Sequence, residues 1–229
     1  MISFRDVTLR RGGFRLDVPR LDVEPGTIVG LVGRNGAGKT TLLELCVGLL
    51  APDAGEVRAF GLDPVRDPVG VRRRVALMTD DMPLFHLRIG ALMRALAPFW
   101  PTWDPDLARR LVETFELDPG KSVAALSKGE HTRLRLALSL AWKPDVVLLD
   151  EPATGLDVPS RRKMLGEVLG IVRDPARAVV ISSHDVADVE RIADRLVVLD
   201  RGRVVADGPT REVVGEGRTL EEMLAGMGA

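Results

Sequence analysis

The run Gly33-Arg34-Asn35-Gly36-Ala37-Gly38-Lys39-Thr40 has the spacing of a loop that wraps a phosphate. Gly33, Gly36 and Gly38 free the backbone to turn its N–H groups inward, with Asn35 and Ala37 between them. The Lys39 ammonium then reaches the outer phosphates of a polyphosphate, the Thr40 hydroxyl is a ligand for Mg²⁺, and Thr41 continues the motif into a helix. A second constellation closes the apolar run Val146-Val147-Leu148-Leu149 with Asp150 and Glu151. Asp150 suits Mg²⁺, which takes few protein carboxylates, and Glu151 is placed to orient or deprotonate an attacking water. Ser127-Lys128-Gly129-Glu130 is a capping box, Ser127 as N-cap and Glu130 three residues on, and a helix start with a glycine in its first turn is also an anion site.

These side chains act together only if a sheet aligns them. Ile28-Val29-Gly30-Leu31-Val32, Val146 to Leu149 and Val179-Val180-Ile181 are apolar without polar alternation, as central strands of a parallel sheet buried on both faces must be. Leu196-Val197-Val198-Leu199 reads as a further strand, while residues 1–10, 14–23 and 56–60 alternate more and predict an antiparallel flank. Helical stretches over 40–48, 160–172 and 186–193 fall between the buried runs, which makes βαβ crossovers and an α/β fold. Over residues 80–142 the pattern turns helical: Ile89, Leu92, Met93 and Leu96 share one face, as do Leu107, Leu111 and Phe115. We expect a helical subdomain there, inserted into a sheet domain made of 1–79 and 143–229. Thr219-Leu220-Glu221-Glu222 opens a last short helix.

The 229 residues carry 32 basic and 33 acidic side chains, a net charge of −1, so no bulk positive potential draws a nucleic acid and no nucleic-acid partner is expected. The longest basic run, Arg72-Arg73-Arg74, reads as a solvated face. A single cysteine, Cys46, excludes an internal disulfide and reads as a small packed hydrophobe. Trp100 and Trp103 lie near prolines and fit core anchors slightly better than a partner surface. No apolar run approaches the roughly 20 residues of a membrane-spanning helix, and residues 1–6 lack the basic start and apolar core of a secretory signal. The chain is therefore expected to be cytoplasmic.

Taken together, the phosphate loop from Gly33 to Thr41, Leu126-Ser127-Lys128-Gly129-Glu130, Asp150-Glu151-Pro152, Gly155-Leu156-Asp157 and His184 after a strand resemble the nucleotide-binding subunit of ATP-binding cassette (ABC) transporters, in that family's order and over nearly the whole chain. The resemblance implies a P-loop NTPase fold and a head-to-tail dimer, with an identical or a different ATPase subunit. ATP with Mg²⁺ would be sandwiched between the phosphate loop of one subunit and Ser127 and Gly129 of the other. It further implies Glu151 as catalytic base, His184 as holder of the γ-phosphate and water, Asp157 as a dimer contact, and membrane-spanning permease subunits that hold the chain on the inner face of the membrane.

Three departures stand out. The family's glutamine after the strand that precedes the helical subdomain is Asp80 here, a competent Mg²⁺ ligand that adds negative charge. The aromatic residue that stacks on adenine is usually tyrosine; this chain has none, and Phe14 is the aromatic in the right region, as well suited to a strand core. Lys128 and Glu130 stand where glycine and glutamine are common. The short helical subdomain and a chain that ends soon after the motifs resemble export ATPases, so export is the expected direction. A soluble ATPase of complex assembly and a nucleotide-gated regulatory module with low turnover are the alternatives.

Overall fold

A computed structural model of the chain describes residues 1–183, 186–215 and 219–222. Its strands are β1 (Ile2–Arg11), β2 (Phe14–Val23), β3 (Ile28–Val32), β4 (Ala54–Ala59), β5 (Val75–Met78), β6 (Val146–Asp150), β7 (Ala178–Ser183), β8 (Arg195–Asp200) and β9 (Arg203–Pro209). The α-helices are α1 (Lys39–Cys46), α2 (Pro68–Arg72), α3 (Ile89–Leu96), α4 (Pro105–Thr114), α5 (Lys128–Leu140), α6 (Val158–Ile171), α7 (Val186–Ile192) and α8 (Thr210–Val214). All the strands join one sheet in the order β4-β1-β2-β9-β8-β3-β7-β6-β5.

The apolar runs sit where two-sided burial demands them. Every residue of β3 and β7 is buried, and in β6 only the terminal Asp150 emerges. β5, β6, β7, β3 and β8 pair in parallel. β4, β1 and β2 form the antiparallel flank, joined to the rest through β9, which runs antiparallel to β8 and meets β2 at Asp17 and Arg203. One face of the sheet packs Ile28, Val147 and Ile181 into a single core with Leu92, Leu111 and Phe115 of the helical segment. The other face packs Leu31, Leu148 and Val180 against Leu43 of α1 and Phe4 and Leu16 of the flank. Val32 pairs with Ser183 and Asp150 with Ser182, so the carboxyl ends of β3, β7 and β6 lie side by side.

Some features differ from the sequence expectation. The arginine run is exposed, yet it is not merely a solvated face. Arg72 Nε donates to the Val47 carbonyl at 3.0 Å, and Arg74 pairs with Asp145 at 2.6 Å while its guanidinium lies 3.5 Å from the Phe60 ring centre. Both side chains fasten the start of β5 to neighbouring elements by groups that spacing alone does not pair. Trp100 is half-buried and stacks on Trp142 at 5.4 Å, so it is core on one side and groove wall on the other. Cys46 is buried as expected; its thiol donates to the Leu42 carbonyl, and burial pushes its pKa up. No helix among the described residues is long and apolar enough to cross a membrane.

Candidate functional site

β3 ends in the glycine loop, and α1 begins directly after it. Gly33 has φ 156°, and a Cβ there would stand 2.3 Å from the Leu199 carbonyl oxygen. Gly38, the N-cap of α1, has φ 109°, and a Cβ would meet the Phe14 ring at 2.8 Å. Both positions need glycine for conformation and for close approach. Because Gly38 has no side chain to cap the helix, the N–H groups of the first turn of α1 are left for an external acceptor. Lys39 is 7% exposed; its Nζ donates to the Gly33 carbonyl at 2.8 Å and lies 3.5 Å from Glu151 Oε1.

The carboxylates are held from the adjoining strand ends. Thr40 Oγ1 donates to Asp150 Oδ2 at 2.6 Å, and Ser182 Oγ donates to Asp150 Oδ1 at 2.5 Å. Glu151 N donates to Ser182 Oγ at 3.0 Å, and Glu151 has left-handed backbone, φ 49°. A strained non-glycine residue pinned by its neighbour is a pattern that clusters at functional sites. Ser182 is fully buried and aligns both acids. Sequence reading missed it; its one signal was a hydroxyl closing an otherwise apolar run. Phe14, Asn35, Gly36, Ala37, Thr41 and Glu151, with Gly38, Lys39, Thr40 and Asp150, line a cavity of about 390 Å³. Gly33 lies outside this lining and is tied to it by the bond that Lys39 donates to its carbonyl. Thr40 and Asp150 present hard oxygens at its edge, a donor set that fits a small divalent cation drawing its other ligands from phosphate and water.

Other expected residues lie elsewhere. Ser127 and Gly129 begin α5, outside the lining of this cavity, with Gly129 seated against the Gly155 carbonyl. Phe14 lines the cavity while its ring packs on Gly38. Asp157 caps α6, its Oδ1 accepting from Ser160 N at 2.8 Å, and bonding to Ser160 holds its pKa low. Asp80 faces α5: its oxygens lie 3.7 Å from Lys128 Nζ and 3.5 Å from Arg135 Nη1. It lines a separate groove that Thr40 and Asp150 also reach. His184 lies outside the described residues.

The capping box at the start of α5 is formed in full. Glu130 accepts from Ser127 N at 2.8 Å and from Lys121 Nζ, and the Lys121 bond followed by the Ser127 N–H lowers its pKa to about 2. A depressed carboxyl pKa stabilises the fold above the unfolded value and loses that contribution as pH falls through the folded one. Glu130→Ala is expected to cost about 1 kcal/mol in urea unfolding at neutral pH. The gap to wild type should narrow from about pH 4.5 towards pH 2, and a gap that stays constant across that range refutes the assignment.

Residues 16–154 match the ABC transporter family. A thiamine import ATP-binding protein, ThiQ, of Jannaschia sp. (strain CCS1) is 34% identical over 93% of this chain and 95% of its own length. A putative ABC transporter ATP-binding protein of Streptomyces avermitilis is 38% identical over 91% of this chain, which spans only 38% of that relative. A solved ATP-binding subunit of an ABC transporter superposes over all of both chains with a TM-score of 0.90 at 25% identity. With more than half of its length inside the family match and a relative of similar length at 34% identity, the chain belongs to the ABC transporter family, as an ATP-binding component.

Proposed function

We propose that the chain binds and hydrolyses Mg·ATP as half of a dimer and drives membrane-spanning permease subunits. The observation that carries the reading is the cavity in which the uncapped start of α1, Lys39, the Thr40–Asp150 pair and Glu151 converge. The α1 N–H groups and the Lys39 ammonium hold the β- and γ-phosphates. To do so, Lys39 exchanges the Gly33 carbonyl and Glu151 for phosphate oxygens, which releases Glu151 towards the attacking water. Mg²⁺, when bound, would supply charge neutralisation at the phosphates. Asp150 and Thr40 would hold it, with Ser182 fixing the second oxygen of Asp150. Hydrolysis then rests on positioning and electrostatics. His184 is proposed to hold the γ-phosphate and water, Phe14 to meet the adenine, and Ser127 and Gly129 to close the site from a second subunit.

One feature supports a permease partner besides family membership. Leu49 is 53% exposed beside a groove of about 530 Å³ lined by Leu77, Leu96, Trp100 and Trp142 and by Asp80, an apolar seat next to the nucleotide site. Residues 80–142 would supply one wall of this seat, through Asp80, Leu96, Trp100 and Trp142, and would carry Ser127 as well, while Leu49 and Leu77 belong to the sheet domain. The relative named for thiamine import stands against the sequence expectation of export, and direction and cargo selection are assigned in this reading to the permease. Purification of the tagged chain from detergent-solubilised native membranes tests the partnership. A multi-span protein recovered in fixed stoichiometry is expected, whereas a chain recovered only with soluble proteins favours complex assembly or a regulatory role.

A further inference from the structure

Asp80 carries two cations of unequal freedom. Arg135 has 15% of its side chain exposed, and its Nε also donates to the Met82 carbonyl at 3.1 Å, so it is fixed to the loop after β5. Lys128 has 64% exposed and reaches Asp80 at 3.7 Å by an ammonium with no other ion pair among the described residues. Its stem runs along Gly155, 3.4 Å from where a Cβ would stand, in the loop that follows Glu151. Thr132 Oγ1, one turn later, donates to the Thr154 carbonyl, so the first turn of α5 is seated on that loop. The loose member of the triad is thus a mobile point charge on the helix start that faces the second subunit's nucleotide under the dimer reading, on which this inference rests.

We infer that Lys128 contacts the γ-phosphate of ATP held by the second subunit, and that Asp80 is its resting counter-ion, a positioning residue. An exposed carboxylate pair at this distance is weak, and a multiply charged phosphate is the stronger acceptor. ADP lacks that phosphate, so the exchange distinguishes the two nucleotides. When Lys128 leaves, Arg135 stays on Asp80 and the loop after β5 keeps its anchor to α5.

The test is sedimentation of the full chain in the Glu151→Gln background with Mg·ATP or Mg·ADP. Adding Lys128→Met is expected to weaken ATP-driven dimerisation about 10-fold, and Lys128→Arg to restore most of it. Adding Asp80→Asn removes the competitor and is expected to strengthen dimerisation about 3-fold. The Asp80→Asn/Lys128→Met double change should match Lys128→Met alone, because the competitor acts only through the lysine. Mg·ATP affinity of the monomer, measured by calorimetry, should be unchanged by Asp80→Asn. Weaker dimerisation in Asp80→Asn together with a loss of Mg²⁺-dependent affinity would make Asp80 a metal ligand and overturn the inference. Unchanged dimerisation in Lys128→Met overturns it as well, while leaving the sandwich reading intact. A Glu151→Gln chain that binds Mg·ATP and stays monomeric removes the sandwich reading and this inference with it.

Discussion

Glu151→Gln should bind Mg·ATP as tightly as wild type and turn it over roughly 100- to 10,000-fold more slowly. The amide keeps the size of the side chain, and the residue's backbone bond to Ser182 is untouched, so the cavity holds its shape. What would be lost is the carboxylate proposed to accept the water's proton. Loss of one negative charge beside Lys39 slightly favours the phosphate, so binding does not suffer. Phosphate release and nucleotide titration read the two quantities separately. With hydrolysis blocked, ATP should also accumulate a dimer on size-exclusion chromatography, and ADP should not. Turnover near the wild-type rate would remove Glu151 from the role of base.

Lys39→Ala should fail one step earlier. The ammonium is a buried cation lining the cavity, 7% exposed, and under the proposed function it would supply charge-assisted hydrogen bonds to two phosphates. Its removal is expected to weaken ATP binding roughly 100- to 1,000-fold, with the loss seen equally in binding and in hydrolysis. The Gly33 carbonyl also loses its donor, so the apo protein should be slightly less stable. The contrast between the two variants is diagnostic: one keeps the ligand without chemistry, the other loses the ligand. If Lys39→Ala bound Mg·ATP normally, the glycine loop would not be the phosphate site.

Much of the cavity was readable in the chain because its parts are local. A glycine loop between an apolar run and a helix, and acids closing another such run, announce themselves over a few residues. β3, β6 and β7 were equally plain, since burial on both faces leaves no polar residue to confuse the pattern. β9 was not, because it alternates half-buried with exposed positions and ends in Gly208-Pro209. Five-residue α2 is too short for a helical period to register. The ties that cross the fold were invisible for a different reason. Ser182 to Asp150 spans 32 residues, Arg74 to Asp145 spans 71 and Thr40 to Asp150 spans 110, and no local rule pairs them. Asp80 drew a metal-ligand expectation only from its place in the family's motif order, and Lys128 and Arg135 at its side are legible only in the fold.

The strand order also sets a timetable for synthesis. β3 lies between β7 and β8, and the antiparallel flank reaches it only through β9 and β8. The glycine loop takes a hydrogen bond on Ala37 from Gly202, and Gly33 packs beneath Leu199. A ribosome that has released the first half of the chain has therefore exposed β3 with neither neighbour made, and its apolar edges wait for residues up to about 202. Truncated or stalled products should be insoluble and unable to hold nucleotide, so an incomplete subunit would not compete with finished ones for a partner.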